Sequence, residues 1–74
     1  MGENQQDVEQ VARARLCCSR YAELKNVTCA YGEHNRVLTL RGRVSSYYVK
    51  QRAQEVVRMV DGVDRIDNLI EVAE

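Results

Sequence analysis

The chain has 74 residues, and its 11 basic side chains are balanced by 11 acidic ones. A chain this short buries only about 60% of the surface it exposes when unfolded, so it holds one domain and favours a binding module over an enzyme with a deep, preorganised cleft. Zero net charge argues against a general nucleic-acid binder, and 45% hydrophobic with 30% charged residues is a globular composition.

The chain contains no Pro, Trp or Phe, so its core must come from Val, Leu, Ile, Ala and Tyr. No run of 18 apolar residues is present, so no membrane-spanning segment is expected. The opening MGENQQDVEQ has neither the basic nor the apolar part of a signal peptide, and Gln6 stands where a myristoylation motif needs Ser or Thr. The chain as written is therefore expected to be cytoplasmic, or periplasmic or membrane-peripheral if it is cut from an exported protein.

In chain order, residues 1–6 are polar and expected to be disordered, leaving 7–74 as a single domain. Asp7 is placed to cap a helix running to about Tyr21, with Val8, Val11, Ala12 and Leu16 on one face. Leu24 to Tyr31 reads as a strand, because Val27, Cys29 and Tyr31 alternate with Thr28 and Ala30. Gly32 to Asn35 forms a loop in which Gly and Asn can take positive φ. Arg36 to Val44 is then the second strand of a hairpin. Ser45 or Ser46 caps a second helix whose stripe is Val49, Ala53, Val56, Val57 and Val60. Gly62 fits the left-handed C′ position after it, and residues 63–72 form the last strand. The order α-β-β-α-β predicts an α/β two-layer fold with two helices on one face of a three-stranded mixed sheet. The third strand is free to lie beside either of the others.

Cys17, Cys18 and Cys29 are odd in number, and adjacent Cys17 and Cys18 cannot pair with each other without distortion. A single bridge to Cys29 is allowed, but three reduced thiols, partly used as small core residues, is the simpler reading. With His34 they lack the paired spacing of structural zinc ligands, so no metal and no cofactor is expected. His34 is the one histidine, and no nucleophile elbow, phosphate loop or dinucleotide fingerprint is present, so no catalytic residue is assigned. The element order also invites comparison with the RNA-binding KH module, but that module needs a GXXG loop and this chain has none.

The run Val27-x-Cys29, Leu38-Thr39-Leu40-x-Gly42-x-Val44, Ser46-Tyr47-Tyr48-x-Lys50-Gln51-x-Ala53-Gln54 and Gly62-Val63-x-x-Ile66-x-Asn68-x-Ile70-x-Val72 resembles the BON domain, a small bacterial module of membrane-associated and osmotically induced proteins. The resemblance covers about residues 7–72 and implies the same α-β-β-α-β fold. It implies a non-enzymatic module that binds phospholipid at a membrane surface. The shared residues are structural. Gly42 permits the close approach of a helix or a bulge that turns the strand, Gly62 a left-handed turn, and the Asn68 side chain can satisfy a loop or strand end.

The lipid-binding surface expected from the residues is Arg41 and Arg43 on the second strand, followed by Tyr47, Tyr48, Lys50 and Arg52 on the second helix. Tyrosine rings suit a headgroup layer, and cations draw anionic lipid. A structural alternative stands beside this reading. Arg41 and Arg43 can pair across the sheet with Asp67 and Glu71, and a tyrosine can serve as a core-edge residue. The sheet face away from the helices, carrying Val37, Thr39, Leu69 and the two arginines, or an edge strand, is the alternative surface, for a protein partner or a second copy.

Overall fold

The computed structural model describes residues 8–73. The segment 1–6 and the expected cap at Asp7 lie outside the described residues. The first helix, α1 (Val8–Cys17), buries Ala12 and Leu16 on the expected stripe. It stops well before Tyr21. Cys18 N–H still reaches the Ala14 carbonyl at 3.0 Å, but Ser19 N–H tightens onto Leu16 at 3.3 Å. The Ser19 hydroxyl then accepts from Tyr21 N–H at 3.2 Å, offering the backbone a local partner in place of the helix.

A second correction follows at Leu24, which belongs to a 3-10 turn (Ala22–Asn26) and not to a strand. Leu24 and Val27 are both buried but three residues apart, a helical spacing that the alternation from Val27 onward concealed. Strand β1 is Thr28–Gly32, and β2 is Val37–Arg41. In the turn between them the positive φ falls on Arg36 (57°), not on Gly32 or Asn35. Arg36 is held there from both sides. Its N–H donates to the Gly32 carbonyl and its own carbonyl accepts from Asp64 N–H, both at 2.8 Å, while its guanidinium meets the Asp64 carboxylate at 3.4 Å.

The chain continues through β3 (Arg43–Val44), α2 (Tyr47–Val57), β4 (Arg65–Asn68) and β5 (Glu71–Val72). β2 is central, antiparallel to β1 and parallel to β4. β3 pairs with β5 in the same parallel sense. Leu40 opposes Asn68 and Arg43 opposes Glu71, the same spacing on both sides of Gly42. Leu69 N–H to Leu40 O and Glu71 N–H to Gly42 O, both 2.8 Å, carry the ladder between them. The four segments are thus two long bent strands, and the third strand lies beside the second.

Alternation then sorts the side chains. Cys29, Leu38, Leu40, Val44 and Ile70 point into a core completed by Ala12, Leu16, Val49, Ala53, Val57 and Val60. Both helices cover this face. Cys29 is buried, whereas Cys17 and Cys18 are exposed, and none of the three is in a disulfide. Ser46 caps α2, accepting from Val49 N–H at 3.2 Å.

Each structural residue singled out by sequence has a partner. Asn68 donates to the Lys50 carbonyl at 3.0 Å and to Gln54 Oε1 at 3.4 Å, and accepts from Ile70 N–H at 3.3 Å. It pins the bend of the third strand to α2. Gly42 has φ 150°, and what approaches it is the Asn26–Val27 backbone, not a helix. Gly62 has the expected positive φ, 96°, but is not the C′ residue. The α2 helix ends at Val57 with Arg58 as cap, and Gly62 lies in the following turn, where its carbonyl accepts from the Tyr31 hydroxyl at 2.6 Å.

The 3-10 turn is tied to the start of α2 by Glu23, whose carboxylate accepts from both Ser45 N–H and Ser45 Oγ at 2.6 Å. These two bonds, the hydroxyl first, hold the Glu23 carboxyl below its ordinary range. A depressed folded value means that the contribution is present above the ordinary carboxylate value and is lost as pH falls through the folded one. Glu23→Gln is expected to lower stability at neutral pH and to flatten the loss on acidification. Urea midpoints between neutral and acid pH test this, and an unchanged profile would remove Glu23 as a pH-linked tie.

Candidate functional site

Helical and strand geometry divides the six residues expected to form one patch. Arg41 and Arg43 leave the sheet on the face opposite the helices, because they alternate with Leu40 and Val44, which enter the core. On that face Arg43 meets Glu71 at 3.6 Å, as the structural alternative required. Asp67 pairs with Arg65 at 3.4 Å and not with Arg41, which has no carboxylate partner among the described residues. Val37, Thr39 and Leu69 share this face, and Leu69 is exposed.

The other four residues lie on α2. Tyr47 and Tyr48 are 62% and 60% exposed, so neither serves as a core-edge residue; Tyr21 and Tyr31 pack against the core instead. Successive helix residues diverge by about 100°, which sends Tyr47 and Lys50 to one flank and Tyr48 and Arg52 to the other. Tyr47 and Lys50 join Gln51, Gln54 and Asn68 around a hollow of about 260 Å³, where Tyr47 Oη accepts from Gln51 Nε2 at 2.9 Å. The two tyrosines thus stand at the outer N-terminal end of α2, with one cation on either side.

Tyr48 and Arg52 open onto a larger groove of about 490 Å³, closed on the far side by Ser19, Arg20 and Tyr21 and floored by Val56. Its shape depends on the early end of α1. Ser19 holds the Tyr21 backbone through its hydroxyl, accepting from Tyr21 N–H at 3.2 Å and donating to Tyr21 O at 3.3 Å. The Tyr21 ring then meets Tyr48 edge-on, with centroids 6.0 Å apart and an interplanar angle of 75°. The Tyr21 hydroxyl donates to Tyr48 Oη at 3.2 Å.

The electrostatics of the groove have one sign. Among the described residues no acidic side chain lines it, and neither Arg20 nor Arg52 has a carboxylate partner. By contrast Arg36, Arg43, Arg58 and Arg65 are all in ion pairs. The Nε of Arg52 is buried and has no hydrogen-bond partner among the described residues. The Tyr21 phenol is held above its ordinary range, first by the hydrogen bond to Tyr48 and then by burial, while the charges of Arg52 and Arg20 pull the other way. It stays a neutral donor at physiological pH. Two guanidinium groups and two phenols thus converge on a space suited to an anion.

Sequence reasoning found Tyr48 and Arg52 but missed Ser19, Arg20 and Tyr21, which it placed inside α1. The available signal was Ser19 two residues before Tyr21, the spacing of a side-chain turn. No helix among the described residues is long and apolar enough to cross a membrane. The family described as the BON domain matches residues 32–74, more than half of the chain. Among curated proteins, none matches.

Proposed function

The chain belongs to the BON domain family, and from that premise we propose that it is a non-enzymatic binding module for anionic phospholipid headgroups at a membrane surface. The observation that carries this reading is the outer N-terminal end of α2. Two tyrosines more than half exposed stand there between Lys50 on one flank and Arg52 with Arg20 on the other. Amphipathic rings flanked by cations suit the headgroup layer, and each cation near an anionic surface contributes about 1 kcal/mol. Three cations therefore give about 3 kcal/mol, roughly a hundredfold in affinity. A chain without net charge binds in this way only through such a local cluster. Arg41 and Arg43, on the far face of the sheet, are not part of it.

The test is an amide NMR titration with vesicles of phosphatidylglycerol and phosphatidylcholine against phosphatidylcholine alone, at low and moderate salt. Selective broadening from Tyr47 to Arg52, with the anionic vesicles only and weakened by salt, is the expected result. Broadening centred on Arg41 and Arg43 would move the surface to the sheet. No broadening at high lipid would overturn the membrane reading and leave the sheet face around Leu69 as the surface to examine. Leu69→Lys and a concentration series of solution mass would then be the measurements.

A further inference from the structure

We infer that the groove between the end of α1 and α2 is a site for one phosphate group, held by Arg20 and Arg52 with help from the Tyr48 hydroxyl, which the Tyr21 hydroxyl holds in place by donating to it. Membrane attraction through scattered charge needs no such site. The inference rests on the headgroup reading only for the source of the phosphate, since a lipid headgroup and a soluble phosphomonoester offer the same oxygens.

Three observations carry it. The first is the buried Arg52 Nε, a donor removed from water with nothing among the described residues to receive its hydrogen. Such a group is costly to leave unpaired, and a small turn of the Arg52 guanidinium toward an anion in the groove would supply the missing partner. The second is composition. Other hollows on the surface contain a carboxylate, Asp64 in one and Asp67 in another, or a single lysine. Among the described residues the groove combines two guanidinium groups with no acid. A guanidinium fork matches two phosphate oxygens at once, and the Tyr48 hydroxyl remains to donate to a further oxygen. The third is preorganisation. Ser19 fixes the Tyr21 backbone, and the edge-on contact fixes Tyr21 against Tyr48, so ordering these groups costs little on binding. The volume of about 490 Å³ admits a phosphate with an attached glycerol.

The experiment titrates the whole labelled chain with glycerol 3-phosphate, and separately with the phosphatidylglycerol vesicles. Arg52→Gln and Arg20→Gln are compared with Arg41→Ser, which lies on the other side of the molecule. Because Arg20 is exposed, Arg20→Gln keeps the test valid if Arg52→Gln fails to give a folded spectrum. Saturable shifts confined to Ser19–Tyr21 and Tyr48–Arg52 are expected with glycerol 3-phosphate, at least tenfold weaker in Arg20→Gln and Arg52→Gln and unchanged in Arg41→Ser. Saturable binding of the soluble phosphate without vesicle binding would uphold the site and sink the membrane reading. Vesicle binding that is equal in all variants, with no saturation by glycerol 3-phosphate, would overturn the site and leave the membrane reading standing. Shifts spread over every basic residue would also overturn the site.

Discussion

Leu40→Ala is expected to remove about 2–5 kcal/mol of folding stability. Leu40 is fully buried in the central strand, between Cys29 on β1 and Asn68 on β4. Neighbours drawn from two other strands and from the helix layer cannot all close on the vacated space, so the cavity cost adds to the lost transfer energy. A 74-residue domain has roughly 4–11 kcal/mol in total. The variant should therefore melt about 10–30 °C lower and sit near the edge of folding at physiological temperature. Leu69→Ala is the matched control. Leu69 lies between β4 and β5 on the third strand and faces solvent, at 49% exposure, and its loss should cost less than about 0.5 kcal/mol. Urea unfolding of the two side by side gives the answer, and equal costs would contradict the assignment of the buried face.

The second large effect is expected at Gly42. A Cβ built there would lie 3.2 Å from Val27 Cα and 3.3 Å from the Asn26 carbonyl oxygen, at φ 150°. Both obstacles are backbone, anchored by the 3-10 turn on one side and the sheet on the other, so neither yields as a flexible side chain would. The unfavourable dihedral costs about 1–3 kcal/mol, and overpacking adds a further cost of about 1–3 kcal/mol. Gly32→Ala makes the contrast. Its Cβ would come within 2.9 Å of Asn35 Oδ1, the end of an exposed side chain, and Gly32 is not in the positive-φ region. Gly42→Ala should lower the thermal midpoint well beyond Gly32→Ala, and the reverse order would refute the close approach as the reason for a glycine.

The consequence of Gly42 for function is positional. It lets the Asn26–Val27 backbone press against the sheet, and the turn that ends there begins directly after Tyr21. The 3-10 turn is also bound to the start of α2 through Glu23 and Ser45. Tyr21 and Tyr48 meet across the groove because these two ties set how the segment after α1 lies against α2. Loss of the glycine is thus expected to disturb the groove as well as the sheet.

Period and punctuation in the sequence determined the element types from Val27 onward. The alternation in both long strands, the Ser46 cap and the α2 stripe from Val49 to Val57 are local signals, each legible from spacing within one element. The spacing of these signals over residues 32–74 also determined the family. Tertiary structure decided where α1 stops, that Leu24 enters the core from a 3-10 turn, and that strand three lies beside strand two. It also decided that six candidate residues face three different ways. None of these is a local property. Strand order follows from which partner completes the ladder over the helix layer. The facing of a basic residue follows from which of its neighbours the core takes in. The groove is assembled from residues 19–21 and 48–56, segments that have no common pattern in the sequence and meet only because both helices pack on one face of the sheet.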